Sequence, residues 1–418
     1  MRKVIMLAYH FPPLGGVAVM RVLRFVRYLR DFGYEPVVVS VEPSARLPEP
    51  RDPGLLQDLP ADLEIHRLPC LEPDNYANSW EFPGQKIRRN LFKTFDFMLV
   101  PDDRALWIGP AACMAAELAR KHCASLIWAT AQPFSTLLAG VRASRSSKLP
   151  LVADFRDDWT TSNSDFRRSE AIRQRQETAQ EATVLERASA IFSVTPGIVE
   201  ALQKRAPHPD KVYLLTNGFD PAHFPAGLQS DPHSDFRLIH AGGIYRHRQP
   251  QPLFQVLGSL PEEIKKELRC EFMGRVDRDS EALFRPENSP PQVQNLGFQP
   301  HCVVRQKMAQ ADLNLLLLEN VPSVNWLYTG KIFEYLGARR PILMLGPTNS
   351  PLADLVRESG LGRCCEWSDL DGIRREIIDA FQNRAHPRAP SEEVIARYDA
   401  REQTAQLAKI FDQVLERS

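Results

Sequence analysis

The sequence has no net charge, because its 52 basic residues are balanced by 52 acidic ones. Proteins that bind nucleic acid through many phosphate contacts need an excess of basic residues, so nucleic acid is not expected as a partner. The seven cysteines form no Cys-x-x-Cys pair and are odd in number. A zinc ribbon or a disulfide framework is therefore not expected, and a reducing cytoplasm fits best.

Long apolar runs are also missing. The run near the N terminus is short and meets Pro12 and Pro13, which does not fit a signal peptide, and no stretch approaches the ~20 apolar residues of a membrane span. Residues 84–100 carry Lys86, Arg88 and Arg89 among apolar positions. This segment either lies on an anionic membrane surface or is an ordinary amphipathic core helix. We expect a cytoplasmic protein, with peripheral contact to the inner face of the membrane left open.

Short, nearly continuous apolar runs alternate with helical patterns along the chain. In the first half they are VIMLA, EPVVVSV, LEIHRL, SLIWA, LPLVADF, AIFSV and KVYLL. Continuous rather than alternating hydrophobicity predicts parallel strands that are covered on both faces. A doubly wound α/β domain is therefore expected over residues 1–216.

The same alternation of apolar runs and helical patterns begins again after residues 217–235. This segment is rich in Pro, Gly and Asp, and we interpret it as a linker. A second doubly wound domain is expected over residues 236–397, followed by a C-terminal helix over 398–418. That helix could pack on either domain, including back on the first. A cleft between the two domains would be the default ligand site.

The stretch YHFPPLGGVAVMR places Gly15 and Gly16 after the first strand and before a helix. Free amides at a helix N-terminus favour an anion, and glycines let a ligand approach the backbone. A tight turn that needs a positive φ explains the same residues without a ligand.

The motif ADFRDDWT places charged side chains at the end of a predicted buried strand: Asp154, Arg156, Asp157 and Asp158. Ligands bind at the carboxyl ends of strands in open α/β sheets. Arg156 and Asp157 could therefore orient an acceptor hydroxyl. The alternative is a turn held by ion pairs.

Two segments of the second half carry candidate anion-binding residues. In AGGIYRHRQP, Arg246 and Arg248 follow two glycines, and guanidinium groups suit diphosphate oxygens. The segment TGKIFEYLGARRPIL predicts a helix that begins at Thr329 and Gly330 and ends at Gly337. Its first amides and Lys331 suit a phosphate, and Glu334 could accept hydrogen bonds from a ribose diol.

The remaining polar motifs favour structure over chemistry. Asp277 and Asp279 form an Asp-x-Asp pair, but they lie in a polar turn and are expected to be solvated. Cys364 and Cys365 belong to a short predicted strand. No metal site and no resident cofactor are expected.

The order and spacing of these motifs resemble glycosyltransferase family 4. They are FPPLGGVAVMR, ADFRDDWT, NGFD, AGGIYRHRQP and TGKIFEYLGARRPIL, and they span nearly the whole chain. The resemblance implies the GT-B fold, in which two Rossmann-like domains face a central cleft. It also implies a metal-independent, retaining transfer of a hexose from a nucleotide-sugar, UDP- or GDP-linked, to a hydroxyl acceptor.

The resemblance further assigns roles to residues on the donor side. Gly15 and Gly16 match the family's glycine-rich loop, which faces the donor diphosphate. Arg248, or else Arg246, would take the place of the phosphate-binding basic residue, and Glu334 would bind ribose. Amides around Thr329 and Gly330, with Lys331, would hold phosphate. Arg248 and Lys331 would stabilise the departing diphosphate, while Asp157 would orient the acceptor hydroxyl.

The sequence departs from the family pattern at two positions. Trp326 stands where the first glutamate of the Glu-x7-Glu signature is usual, and Ile244 stands where an arginine is usual. Two alternatives to transfer to a glycan, a lipid-linked saccharide or a natural product therefore remain. One is a nucleotide-sugar epimerase of the same fold, and the other is a subunit that binds sugar nucleotides without catalysis.

Overall fold

The computed structural model describes residues 1–44, 47, 51–69, 99–160, 171–225, 235–245, 247–248, 250–321 and 328–417. Internal contacts divide the chain into two compact units. The N-terminal unit comprises Met1–Thr216 together with Gln403–Ser418, and the C-terminal unit comprises Asn217–Glu402. Each is built on a parallel sheet, so the predicted pair of doubly wound α/β domains is confirmed.

The described part of the N-terminal unit contains a seven-stranded sheet with the order β3-β2-β1-β4-β5-β6-β7. All six pairings are parallel. The strands are β1 (Arg2–Leu7), β2 (Tyr34–Val41), β3 (Glu64–Leu68), β4 (Leu126–Thr130), β5 (Leu151–Phe155), β6 (Ala190–Ser193) and β7 (Val212–Leu214). Central strands are buried on both faces, as their continuous apolar runs predict. The two edge strands are more exposed: β3 is half-buried along its length, and β7 runs from buried Val212 to exposed Leu214.

Helices cover both faces of this sheet and form two apolar clusters with it. Among the described residues they are α1 (Val17–Tyr28), α2 (Ile108–Lys121), α3 (Ser135–Ser147), α4 (Ala171–Arg187) and α5 (Pro196–Arg205). In α1 the apolar positions Val19, Val22 and Val26 are buried. The helix passes into a short 3-10 turn that ends at Gly33, whose φ of 84° belongs to the left-handed region.

The described part of the C-terminal unit contains a six-stranded sheet with the order β10-β9-β8-β11-β12-β13. Its strands are β8 (Phe236–Ala241), β9 (Leu268–Met273), β10 (Val293–Asn295), β11 (Leu313–Leu317), β12 (Ile342–Leu345) and β13 (Gly362–Cys365). Its helices are α6 (Gln251–Gly258), α7 (Glu262–Glu267), α8 (His301–Ala309), α9 (Gly330–Ala338), α10 (Pro351–Glu358), α11 (Leu370–Gln382) and α12 (Glu392–Ala396).

Helix α9 extends beyond Gly337, where the sequence predicts its end. It continues to Ala338, and Arg339 takes the left-handed conformation with φ of 52°. A Cβ on Gly337 would lie 2.7 Å from ring atoms of both Phe219 and Phe224. This glycine therefore permits close packing, and it is not a helix terminator.

The first residues of the predicted linker belong to the C-terminal unit. Phe219 is buried, its N–H donates to Tyr398, and its carbonyl accepts from Ala400. Residues 226–234, the middle of the predicted linker, lie outside the described residues.

The last helix, α13 (Ala400–Glu416), packs on the N-terminal unit from Gln403 onward. Phe411 is buried and meets the ring of Tyr34 edge to face at 5.2 Å. Asp412 accepts hydrogen bonds from Tyr34 and Arg2, both at 2.7 Å. These contacts attach the C terminus of the chain to β1 and β2.

A buried ion pair joins α1 to β5. Arg21 binds Asp154 through two hydrogen bonds of 2.9 Å, with side-chain exposures of 2% and 0%. Arg21 also donates to the carbonyls of Leu215 and Thr216, and Thr130 donates to Asp154 at 2.7 Å. The pair therefore fixes the start of α1, two neighbouring strands and the segment that leaves β7.

Replacing Arg21 by methionine should destabilise the N-terminal unit by about 3–5 kcal/mol, because Asp154 would remain buried without its cation. Urea unfolding followed by circular dichroism would measure the change. Arg2→Met removes an exposed ion pair to Asp412 and should leave the midpoint nearly unchanged. A loss in Arg21→Met no larger than in Arg2→Met would contradict this account.

Candidate functional site

The loop after β8 is tied to the end of β9. The Gly242 N–H donates to Met273 at 2.6 Å, and the Ile244 N–H donates to Arg275 at 2.9 Å. Arg248, further along the loop, donates to the Gly243 carbonyl at 3.1 Å and to Glu319, which follows β11, at 2.8 Å. The predicted basic residue thus lies at the carboxyl edge of the sheet. Arg246, the alternative, lies outside the described residues.

Lys331 lies in the first turn of α9, and its Nζ is buried with no hydrogen-bond partner among the described residues. A Cβ on Gly242 would lie 1.9 Å from this Nζ. The ammonium group therefore occupies the space that a side chain at Gly242 would fill. The structure brings Lys331, Arg248 and the loop after β8 together, and their role toward a donor stays a prediction.

The electrostatics of this cluster favour an anion. Burial lowers the pKa of Lys331 well below its usual value, the Arg248 guanidinium lowers it further, and Glu319 opposes both effects. A buried ammonium beside a guanidinium is costly unless a negative charge accompanies it. A bound phosphate would supply that charge.

The N-terminus of α9 adds backbone donors to the same place. Thr329 is its N-cap, and its side chain makes no capping hydrogen bond. The Ile332 N–H donates to the Thr329 carbonyl at 3.2 Å, which leaves the N–H groups of Gly330 and Lys331 as the donors that an anion could meet, and the helix dipole favours an anion there. Glu334 follows Lys331 by three residues and is 6% exposed. Trp326 lies outside the described residues.

The glycine turn of the N-terminal unit has a backbone explanation. Gly16 has φ of 95° and ψ of 170°, a conformation that is almost restricted to glycine, and it precedes α1. Nothing lies within 4 Å of a Cβ built at this position. The turn therefore requires glycine whether or not an anion binds. The donor-side role of Gly15 and Gly16 stays a prediction.

Arg156 holds this turn against the sheet. Its guanidinium donates to the carbonyls of Ala18, Ala131 and Gln132. Ala18 lies in the first turn of α1, so Arg156 fixes the helix start from the carboxyl ends of β4 and β5. Asp154 binds Arg21, so both Asp154 and Arg156 of the ADFRDDWT motif have structural partners. A structural role was one of the two interpretations of this motif.

The two following carboxylates differ in their surroundings. Asp157 is exposed, although protein atoms around its carboxyl raise its pKa by desolvation and Arg156 opposes this shift. Asp158 is paired with Arg205 at 2.6 Å, and Arg205 also binds Glu181. Of the two, Asp157 is the more exposed. Its predicted role toward the acceptor is not tested by these contacts.

Two polar residues at the strand ends are not among the site residues predicted from the sequence. Glu319 directly follows the predicted strand ADLNLLLL, a signal that could have identified it, and it binds Arg248. His10 lies inside the YHFPP stretch, and its Nδ1 is 3.2 Å from the Gln132 carbonyl. Only the fold shows that second contact, because the two residues are far apart in the chain.

The Asp277 N–H donates to the Ile244 carbonyl in the loop after β8 at 3.0 Å. Asp277 accepts a hydrogen bond from the Ser280 N–H at 2.9 Å and caps a turn. Cys364 and Cys365 lie in β13, as expected. Residues 84–98 of the predicted amphipathic segment are outside the described residues. No helix within the described ranges is both long and apolar enough to cross a bilayer.

Comparison with known proteins assigns part of the chain to a domain family. Residues 15–218 match the glycosyl transferase 4-like domain. This part of the chain belongs to that domain family, and the resemblance to glycosyltransferase family 4 is confirmed. A search among curated proteins finds no match.

Solved structures show the same fold over the full length. HepE from Anabaena in complex with UDP has a TM-score of 0.60 at 14% identity, covering 100% of this chain and 98% of that one. Sucrose-phosphate synthase from Thermosynechococcus elongatus has a TM-score of 0.66 at 14% identity, with both chains fully covered. A putative UDP-N-acetylglucosamine 2-epimerase from Listeria monocytogenes has a TM-score of 0.59 at 12% identity, covering 100% and 97%. At these identities the likeness establishes the GT-B fold.

Replacing Lys331 by methionine should stabilise the protein, most at low pH. Folding lowers the pKa of Lys331, so unfolding takes up a proton and the wild type gains stability as pH rises toward about 10.4, the unfolded value. The stability difference between Lys331→Met and wild type should therefore shrink with rising pH. Urea unfolding between about pH 6 and pH 9.5 would show it.

Lys266→Met is the matched control, because Lys266 is exposed in the same unit. It should follow the wild type at every pH. A Lys331→Met protein that is no more stable than wild type would contradict a buried, uncompensated ammonium.

Proposed function

We propose that the protein transfers a hexose from a UDP- or GDP-linked sugar to a hydroxyl acceptor, with retention at the anomeric carbon and without a metal ion. The acceptor class that we propose is a glycan, a lipid-linked saccharide or a natural product, as in polysaccharide biosynthesis in the cytoplasm. Peripheral contact with a membrane through residues 84–100 is part of this proposal. The observation that carries it is the buried Lys331 ammonium without a hydrogen-bond partner among the described residues.

The cluster around Lys331 matches the chemistry of a diphosphate. Lys331 supplies a point charge, Arg248 a planar fork, and the first turn of α9 backbone amides, beginning at Gly330. Binding of a diphosphate would offset the unfavourable free energy of desolvating Lys331, which otherwise opposes folding. The HepE structures contain UDP and UDP-glucose, which supports a donor of this kind.

The same groups would assist the departure of the nucleoside diphosphate. Negative charge grows on the phosphate oxygens as the bond to the anomeric carbon breaks, and fixed positive groups in a site without bulk water stabilise it strongly. Lys331, Arg248 and helix amides would here do what a divalent cation does in other transferases. Asp157, exposed at the end of β5, would orient the acceptor hydroxyl.

Glu334 would bind the ribose of the donor. It lies one turn beyond Lys331 in α9 and is nearly buried, so its carboxylate is positioned by packing. A carboxylate can accept two hydrogen bonds from neighbouring hydroxyls, as a ribose diol offers. The uridine or guanosine preference depends on contacts beyond this cluster.

An epimerase is the second candidate, because the Listeria structure shares the fold. It would isomerise the sugar without an added acceptor, and product analysis by mass spectrometry and NMR separates the two reactions. A non-catalytic subunit, suggested by Trp326, would bind the nucleotide sugar without turnover of any acceptor.

Wild-type protein should bind UDP or GDP and slowly hydrolyse the matching nucleotide hexose. Lys331→Met should weaken nucleotide binding at least about tenfold, since a charge-assisted hydrogen bond contributes about 1.5–3 kcal/mol. Gly242→Ala should do the same, because its Cβ would displace the ammonium. Calorimetry would measure these affinities, with Lys266→Met as the unaffected control.

Glu334→Ala separates the ribose role from the phosphate role. It should weaken binding of the nucleoside diphosphate and leave that of inorganic diphosphate unchanged. Wild-type protein that neither binds UDP or GDP nor hydrolyses their hexose conjugates would refute the proposed function.

Nucleotide binding should also take up protons. An anion beside Lys331 restores its charged form, so the complex holds up to one proton more than the free protein at about pH 8. The uptake is the slope of the observed binding enthalpy against the ionisation enthalpy of the buffer. The affinity should fall as pH rises, and Lys331→Met should show a flat slope. Equal slopes in both proteins would contradict the role of this ammonium.

A further inference from the structure

Strand β8 ends at the switch point of the C-terminal sheet. It has β9 on one side and β11 on the other, so the order of strands changes direction here. Ligands of open α/β sheets bind at the carboxyl ends of the strands at such a point. The ladder between β8 and β11 reaches Ile239 and Asn314. The next residue of β8, His240, therefore lies at the same edge as the candidate site.

His240 is completely buried, and one hydrogen bond fixes its ring. Its Nδ1 lies 3.0 Å from the Leu315 carbonyl oxygen. A carbonyl oxygen can only accept a hydrogen bond, so Nδ1 carries the hydrogen and donates. The Nε2 of the neutral ring then presents a lone pair. This atom is buried and has no hydrogen-bond partner among the described residues.

The surroundings of His240 keep its ring neutral. Burial lowers the pKa of the imidazole well below its usual value, and the positive charge of Lys331 lowers it further. Arg248 acts in the same direction, while the hydrogen bond to Leu315 opposes these effects. His240 is therefore a hydrogen-bond acceptor at Nε2 and not a further cation of the site.

Helix α9 carries Lys331 to the same place. The Tyr335 hydroxyl donates at 2.9 Å to the Leu315 carbonyl, the oxygen that His240 also binds. Lys331 lies four residues before Tyr335, on the same face of the helix. Its Nζ lies against Gly242, two residues after His240. The imidazole and the ammonium thus meet the same end of β8.

The two buried groups are complementary. The Nζ of Lys331 is a donor and the Nε2 of His240 is an acceptor, and neither has a hydrogen-bond partner among the described residues. Each costs free energy while it is unpaired. An anion beside Lys331 favours its charged form, and a charged N–H donates more strongly than a neutral one. Binding of an anion therefore favours a hydrogen bond between them.

A neutral imidazole suits a lysine that binds phosphate. A carboxylate partner offsets the positive charge, as Glu319 does for Arg248. An imidazole accepts one of the three N–H groups of an ammonium without a charge of its own. The full positive charge and the other two N–H groups then remain for the phosphate.

We infer that His240 is a positioning residue for Lys331, whose ammonium donates one N–H to Nε2 when the donor diphosphate is bound and directs the other two at the phosphate oxygens. The inference rests on the proposed function and deepens it. His240 acts through Lys331 and does not touch the donor, because its side chain is completely buried.

A double-mutant cycle with inorganic diphosphate as the probe tests this role. In His240→Asn the amide nitrogen can still donate to Leu315, but the acceptor at Nε2 is lost. This variant should bind diphosphate about three- to tenfold more weakly than wild type, the usual range for one hydrogen bond. In a Lys331→Met background the same change should alter the affinity by less than about twofold, because the group that His240 positions is absent. Calorimetry would measure the four affinities.

His240→Gln is the conservative variant, because its amide oxygen can take the place of Nε2. It should restore the affinity for diphosphate to within about twofold of wild type. His386→Asn removes an exposed histidine of the same unit and should match wild type. An equal loss for His240→Asn in both backgrounds would indicate a structural role only and overturn the inference. Unchanged diphosphate binding in His240→Asn would overturn it as well.

¹⁵N NMR of histidine-labelled wild-type protein reads the hydrogen bond directly, with His240→Gln used to assign the signal. The free protein should show a neutral ring protonated at Nδ1. Diphosphate should move the Nε2 signal upfield, as acceptance of a hydrogen bond does, and should not do so in Lys331→Met. A ring protonated at Nε2, before or after binding, would overturn the inference.

The outcomes for the proposed function are separate. Diphosphate binding with this coupling, but no binding of UDP or GDP and no hydrolysis of their hexose conjugates, would refute the proposed function alone. Wild-type protein that binds neither inorganic diphosphate nor a nucleotide would overturn both.

Discussion

The ion pair between Arg21 and Asp154 fixes the geometry of the N-terminal unit at the carboxyl edge of its sheet. One guanidinium holds a carboxylate of β5 and two carbonyls of the chain that leaves β7, and the carboxylate also accepts from β4. A buried ion pair adds little net stability compared with apolar packing, but breaking it is costly. Its effect is positional, because α1 has to begin where Arg21 can reach Asp154. The same ion pair thereby sets the position of the glycine turn, because this turn directly precedes α1.

Arg156 extends the same constraint to the strand ends. Its hydrogen bonds to Ala18, Ala131 and Gln132 connect the start of α1 with the loop after β4. Two successive basic contacts, from Arg21 within α1 and from Arg156 beyond β5, leave the turn little freedom. The exposed Asp157, which directly follows Arg156, is therefore carried on a well-fixed part of the chain, as the acceptor-side role that we propose for it would require.

In the described part of the C-terminal unit, the two basic residues of the candidate site differ in their pairing. Arg248 has a carboxylate partner in Glu319, whereas the Nζ of Lys331 is buried without a described hydrogen-bond partner. The free energy that this ammonium costs the folded protein would be recovered by binding of the donor diphosphate that we propose. Such a trade of stability against function is common at binding sites. The rest of α9 is well packed, with Ile332, Phe333 and Leu336 fully buried.

The sequence predicted most of the fold, because continuous apolar runs and helical periodicity report directly on burial. It placed the second-unit basic residues at one edge of a sheet, since parallel strands end together. It could not decide between the two uses of ADFRDDWT, because the partner of Asp154 is 133 residues away. The contact of His10 with Gln132 and the packing of Gly337 on Phe219 were hidden for the same reason.

The two glycine pairs of this protein show where pattern alone fails. LGGV and AGGI both follow the first strand of a parallel sheet, and both fit an anion-binding loop. At Gly16 the requirement is conformational, since φ is 95° and the space around a Cβ would be empty. At Gly242 the requirement is also one of space, since a Cβ would overlap the ammonium of Lys331. The second pair thus packs against the charged group of Lys331, which lies 89 residues after Gly242 in the chain. A cation in the space that the glycine leaves therefore distinguishes the loop after β8 from the turn before α1.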